Sequence, residues 1–233
     1  MEVFYQPAIS DGVHELSPEE SKHCVKVLRH SIGDIIHVAD GRGALFAVRI
    51  TEANAKRCTF QLVSHSRKEE KAYHISIAIA PTKSIDRIEW FVEKVVELGV
   101  DEIMFYFARY SERKKLNMER LEKKAIVAMK QSEQFILPKL SLFNSFGACL
   151  QAADHFPQRF IAHVDRANPY HLMDVAQPHQ DTVVFIGPEG DFSEEELVKS
   201  FAAGFTKVSL GENRLRTETA GLAACHILTL INR

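Results

Sequence analysis

The sequence predicts two kinds of structure in one chain: a small β-rich part, followed by an α/β part built on a largely parallel sheet. Three observations predict it. Short alternating strands cluster around the hairpin dipeptide Asp40-Gly41 early in the chain. From His74 onward, strand-length apolar runs alternate with amphipathic helical stretches, the pattern of βαβ units. Between them Ser64–Lys71 is polar and charged, which places a boundary there and gives domains 1–71 and 72–233.

Composition narrows the class. The 233 residues are 45% hydrophobic and 26% charged, enough apolar material for a real core and too much for a disordered chain. Lysine and arginine number 29 against 31 acidic residues, a net charge of −2, which argues against a histone-like basic protein and leaves a local basic patch open. Cys24, Cys58, Cys149 and Cys225 lie far apart with no C-x-x-C pair, so neither a metal site nor a disulfide framework is expected. Met1–Tyr5 lacks the stretches of a secretory leader, and no apolar run nears the ~18–20 residues that span a bilayer. The expectation is a reduced, cytoplasmic protein with no membrane contact.

Ser17-Pro18-Glu19-Glu20 opens the first helix, with Ser17 as N-cap and Glu20 placed for a capping box. It is expected to run to about His30. Lys22, Lys26 and Arg29 then share one face, which fits either a solvated surface or a row of phosphate contacts. Strands follow at Asp34–Ala39, Ala44–Thr51 and Cys58–Val63. Val38–Gly43 resembles a nucleotide-binding glycine loop, but that loop opens a helix and this one opens a strand, so it reads as a hairpin turn.

The second part begins with a strand at His74–Ala80 and a helix at Ile85–Leu98, stopped by Gly99. A strand at Glu102–Phe107, a long helix from about Met118 to Phe135, and strands near Lys139–Phe143, Phe160–Asp165 and Thr182–Ile186 continue the alternation. A helix at Glu194–Ala203, a strand at Lys207–Leu210 and a closing helix at Glu218–Ile231 complete it. Arg109–Lys124 carries seven basic residues against three acidic ones.

Two strand-to-helix loops carry the chemistry. The first is Gly187-Pro188-Glu189-Gly190-Asp191-Phe192, whose glycines allow close approach to the backbone just past a strand. Ser193 and Glu196 form a capping box behind it. A helix N-terminus attracts phosphate, but here Asp191 and Glu194–Glu196 oppose one, so a neutral or cationic ligand fits better. The second loop, Leu210–Ala220, concentrates Arg214, Arg216, Glu218 and two threonines at one turn, with Thr217 as the expected N-cap. The small residues after it suit tight packing.

Ile186–Gly190 with Phe192-Ser193, then Leu210-Gly211 with Leu215-Arg216-Thr217-Glu218-Thr219-Ala220, resemble the signature of the RsmE family. These are small-subunit ribosomal RNA uridine-N3 methyltransferases of the SPOUT (α/β-knot) superfamily. Lys83, Arg87, Glu89, Trp90, Lys94 and Glu97-Leu98-Gly99 are similar to the family's first βαβ element, and Lys26–Arg29, Gly33-Asp34 and Asp40-Gly41 resemble its PUA-like N-terminal barrel. Departures stand at Asp191, where the family commonly has glycine, at Asn213-Arg214, and over Met129–Gln134.

The resemblance implies a SPOUT-type trefoil-knotted sheet after a PUA-like β-barrel, S-adenosyl-L-methionine as cofactor, 16S ribosomal RNA or the small subunit as partner, and a homodimer. It places Gly187, Pro188, Glu189, Gly190, Leu210, Gly211, Leu215, Thr217 and Thr219 at the cofactor. Arg216, Glu218 and Glu189 are the candidate catalytic groups, and Lys22, Lys26, Arg29, Arg87, Arg109 and Arg113 the candidate RNA contacts. Rival readings are another SPOUT target, such as ribose 2′-O, and a non-catalytic RNA-binding assembly protein. A dehydrogenase is disfavoured by the missing dinucleotide fingerprint.

Overall fold

The computed structural model describes residues 2–69, 71–165 and 168–233. The chain forms two compact units, Met1–Glu70 with Ile126–Leu137, and Lys71–Ala125 with Pro138–Arg233.

The first unit is a four-stranded sheet in the order β1 (Val3–Tyr5), β2 (Ile35–Ala39), β3 (Ala44–Glu52), β4 (Thr59–Arg67). β1 runs parallel to β2 and the other pairs are antiparallel. The expected hairpin is present. Asp40 is 2% exposed and organises it, its Oδ1 accepting from the amides of Arg42 (2.7 Å) and Ala44 (3.0 Å). Phe4, Ile9, Val38, Val48, Ile50 and Phe60 fill the core under the sheet. Cys24 and Cys58 are buried in it as free thiols, and their mutual hydrogen bond and burial push the Cys24 thiol up.

The first helix departs from expectation. α1 covers only Pro18–Lys22, a wider π-type turn follows at His23–Val27, and the chain then breaks at Arg29 with φ +62°. The break leaves Lys22, Lys26 and Arg29 exposed but removes Arg29 from the helical stripe. Ser17 accepts from the Glu20 amide as predicted, while the Glu20 carboxylate pairs with Lys130 instead of closing the capping box. Segment 126–137 is thereby part of this unit. Phe135 accepts from the Gly43 amide and Gly41 accepts from that of Leu137.

The second unit is a six-stranded, wholly parallel sheet in the order β10-β8-β9-β5-β6-β7. Its strands are β5 (Ile75–Ile79), β6 (Glu102–Tyr106), β7 (Lys139–Phe143), β8 (Gln158–Ala162), β9 (Thr182–Ile186) and β10 (Thr206–Val208). The helices are α2 (Ile85–Glu97), α3 (Met118–Gln131, which ends in the first unit), α4 (Phe146–Ala152), α5 (Leu172–Val175), α6 (Glu194–Ala202) and α7 (Thr217–Ile231). β5 and β9 are buried on both faces, as central parallel strands require, which explains their unbroken apolar runs. Ala78, Met104, Tyr106, Val183 and Phe185 face Phe146, Phe192 and Phe205 on one side. On the other, α7 packs on α2 and β5.

β8 and β10 end earlier than expected, at Ala162 and Val208, because their ladders stop where Ala162 pairs with both Ile186 and Val208. α4 and α5 were not foreseen; at seven and four residues they are too short to show a helical period.

Candidate active site

The register places Ile79, Ala162, Ile186 and Val208 in one row, so the loops that follow them leave from the same carboxyl edge of the sheet. Ligands of open α/β sheets bind at that edge. Tyr106 donates its hydroxyl to the Ile186 carbonyl at 2.8 Å and fixes the point where β9 ends.

Two adjoining cavities open there. One of about 370 Å³ is lined by Arg87, Gly187, Pro188, Glu189, Asp191 and Thr217. The other, about 690 Å³, is lined by His163, Asp165, Asn168, His171, Leu210 and Gly211. Ala162, Val164, Arg214, Leu215 and Ala220 belong to both walls. Arg216 lines the smaller cavity and is exposed, and its guanidinium has no partner among the described residues.

The loops are tied to one another. The Glu189 Oε1 accepts from the Lys83 amide at 2.9 Å, and Arg214 donates to the Glu189 carbonyl at 3.4 Å. His163 Nδ1 stands 3.0 Å from Asp191 Oδ2. Arg113 donates to the carbonyls of Thr82 and Lys83, holding the turn into α2. Glu218 is 6% exposed, and Arg87 Nε lies 3.7 Å from its Oε1. The second carboxylate oxygens of Glu189 and Glu218 are buried with no hydrogen-bond partner.

Of the nine expected cofactor residues, Gly187, Pro188, Glu189 and Thr217 line the smaller cavity, Leu210 and Gly211 the larger, and Leu215 both. Gly190 and Thr219 line neither. A Cβ at Gly190 would lie 3.0 Å from that of Tyr110. Thr217 is not the N-cap of α7; Arg216 is, without a side-chain bond, because Thr217 turns into the interior at 6% exposure. Sequence reasoning missed Ala162, His163 and Val164. Ala162 is the last residue of β8, and His163 and Val164 were hidden by an expected strand end three residues too far along. Among the expected RNA contacts, Lys22, Lys26 and Arg29 lie in the first unit with no partner among the described residues. Arg109 faces Glu195 at 3.5 Å.

The RNA methyltransferase domain family matches residues 68–229, and the RNA methyltransferase PUA domain matches residues 16–63. The chain belongs to the RsmE family. RsmE proteins to which it is similar include the ribosomal RNA small subunit methyltransferase E of Rickettsia conorii, 26% identical over 90% of this chain and 86% of that protein. A probable rRNA-methyltransferase from Porphyromonas gingivalis superposes with a TM-score of 0.91 at 40% identity, covering 100% of this chain and 98% of that one. The RsmE crystal structure from Neisseria gonorrhoeae, bound to S-adenosyl methionine, gives 0.84 at 27% identity over 100% and 98% of the two chains. The SPOUT-like α/β fold and the N-terminal PUA domain are therefore as the family resemblance implied. Among the described residues no cluster of His, Cys, Asp or Glu is arranged to hold a metal, and no helix is long and apolar enough to cross a membrane.

Proposed function

We propose that this RsmE protein uses S-adenosyl-L-methionine to methylate N3 of a uridine in 16S ribosomal RNA, as a cytoplasmic homodimer. The observation that carries the reading is the meeting of both family loops around two joined cavities at the carboxyl edge of the sheet. The residues fit the cofactor. Glu189 keeps a buried oxygen in want of a donor at the smaller cavity, Gly211 (φ +132°) leaves open backbone at the larger, and Val164, Leu210 and Leu215 offer apolar wall for a flat base. The carboxylates suit the cationic, amino and hydroxyl groups of such a cofactor, and Arg87, Arg214 and Arg216 stand among them for its carboxylate.

When bound, the cofactor supplies an electrophilic methyl group. The protein has to place the uracil N3 in line with it and remove the imide proton. Positioning of this kind supplies much of the rate. Glu189 lines the cavity with an unpartnered carboxylate oxygen, and we assign it the proton. Arg216 faces the charge that develops on the adjacent carbonyl oxygen of the base. Glu218, buried beneath, holds Arg87 at the cavity wall. Lys22, Lys26 and Arg29 of the first unit contact RNA phosphates, as do Arg87 and Arg109 of the second, while Arg113 holds the turn into α2.

Arg216→Ala tests the assignment. Calorimetry is expected to show unchanged affinity for S-adenosylmethionine, while transfer to ribosomal RNA falls by roughly 10²–10³, the usual loss for a preorganised charge partner. Wild-type turnover in this variant overturns the role of Arg216.

A further inference from the structure

We propose that Tyr110 and the groove beside it form a docking site for single-stranded RNA next to the target uridine, Tyr110 giving a base a face to stack on. The proposal rests on the methyl-transfer reading above and adds how the RNA strand is held.

Tyr110 stands at the tip of a tight turn that follows β6. The Ala108 amide donates to Ser111 Oγ at 2.9 Å and the Ser111 amide to the Ala108 carbonyl at 3.2 Å. A buried carboxylate anchors this turn. Glu196, 8% exposed, accepts the Arg109 amide on Oε1 at 2.9 Å and the amide and hydroxyl of Ser193 on Oε2, each at 2.9 Å. Glu196 therefore does more than cap α6: it joins the Tyr110 turn to the segment that follows the Gly187–Asp191 loop. On the other side Tyr110 presses against Gly190, where a side chain would have only 3.0 Å.

The ring so held is 50% exposed, and its hydroxyl has no partner among the described residues. A single exposed aromatic is unremarkable by itself. This one is fixed against the loop that lines the smaller cavity, and Arg109, its neighbour in sequence, lines a groove of about 650 Å³ with Lys114, Asn144, Ser145 and Lys199, among which Glu195 and Glu196 also stand. Arg109 and Lys199 share Glu195, at 3.5 and 2.7 Å. Lys114 has no carboxylate partner among the described residues.

The chemistry of the reaction calls for such a site. N3 of uracil lies on the Watson–Crick edge, so a paired or stacked uridine cannot present it and the base has to leave its stack. Single strands are held by aromatic faces for the bases and cationic grooves for the backbone, without reading sequence. Tyr110 offers the first; in the groove Lys114, which has no carboxylate partner among the described residues, offers the second, with Arg109 and Lys199 able to exchange their shared Glu195 for a phosphate.

The test uses the full chain and a fluorescein-labelled unstructured RNA oligonucleotide, read by anisotropy, together with KM for small-subunit RNA and calorimetry with S-adenosylmethionine. Tyr110→Leu is expected to weaken oligonucleotide binding roughly tenfold and raise KM for RNA similarly, with cofactor affinity unchanged. Tyr110→Phe and Tyr110→Trp, which keep a π face, are expected to stay within about twofold of wild type. Lys114→Glu is expected to lower the salt dependence of binding by about one ion. Wild-type binding in Tyr110→Leu, or equal losses in the leucine, phenylalanine and tryptophan variants, overturns the stacking site. A wild-type protein that binds the cofactor yet transfers nothing to RNA instead overturns the methyl-transfer reading itself, before any variant is made.

Discussion

Gly221 has no room for a methyl group. A Cβ there would sit 2.5 Å from Phe91 Cε2 and 3.2 Å from Ile79 Cδ1, both in the fully buried core where α7 meets α2 and β5. Gly221→Ala gains up to about 1 kcal/mol of helix propensity. Overpacking a rigid core costs about 1–3 kcal/mol. The net expectation is a lower urea midpoint with an unchanged slope; an unchanged or raised midpoint contradicts the packing. The small-residue run beginning at Ala220 was readable as a sign of close packing, but its partner Phe91 was not. Asp191 makes the complementary point. It departs from the family's glycine yet takes φ +61°, with its amide on the Pro188 carbonyl at 2.9 Å and its Oδ1 on the Phe192 amide at 2.8 Å. A short polar side chain that bonds its own backbone tolerates this conformation where larger ones do not. Gly190, by contrast, was expected beside the cofactor, and what it accommodates is Tyr110. The need for a glycine was legible; the atom that imposes it was not.

At the scale of elements, the apolar period and the caps located most helices and strands of the α/β part. Ile88, Phe91, Val92 and Val95 are all buried, and the Ser193–Glu196 capping box is complete. The first helix was legible at its start and not at its end. Its wide turn at His23–Val27 and the positive φ of Arg29 go with the burial of Cys24 under the sheet, a tertiary contact that leaves no local pattern. The broken stripe keeps its charge exposed. Reversing Lys22, Lys26 and Arg29 to Glu is expected to weaken binding to ribosomal RNA and flatten the plot of log affinity against log salt by about 2–3. Filter binding from low to moderate salt measures it, and an unchanged slope assigns these residues to a solvated surface. Much of the basic run Arg109–Lys124 is less available, Lys114 being an exception. Arg120 and Lys124 face the buried Glu89, Lys123 pairs with Glu119, and Arg113 is spent on backbone carbonyls. Charge counted along a sequence overstates charge offered to RNA.

Over the whole molecule, the fold class and both chemical loops were readable because each is written in contiguous residues. The return of segment 126–137 to the first unit was not, since its anchors are backbone bonds to Gly41 and Gly43 and the Lys130–Glu20 pair, all distant in sequence. Strand order and the knot that the family resemblance implies are likewise properties of threading, which no periodicity records. The net charge of −2 fits the same view: charge is placed locally, with Lys22, Lys26 and Arg29 exposed in the first unit and both acids and arginines lining the two cavities. The central claim is methyl transfer to a base nitrogen of small-subunit RNA. Incubating small subunits that lack the modification with this protein and S-adenosylmethionine, then mapping nucleosides by mass spectrometry, tests it most directly. One new 3-methyluridine in 16S ribosomal RNA, absent with Arg216→Ala, is the result predicted here; a ribose-methylated nucleoside, or no new methyl group at all, contradicts it.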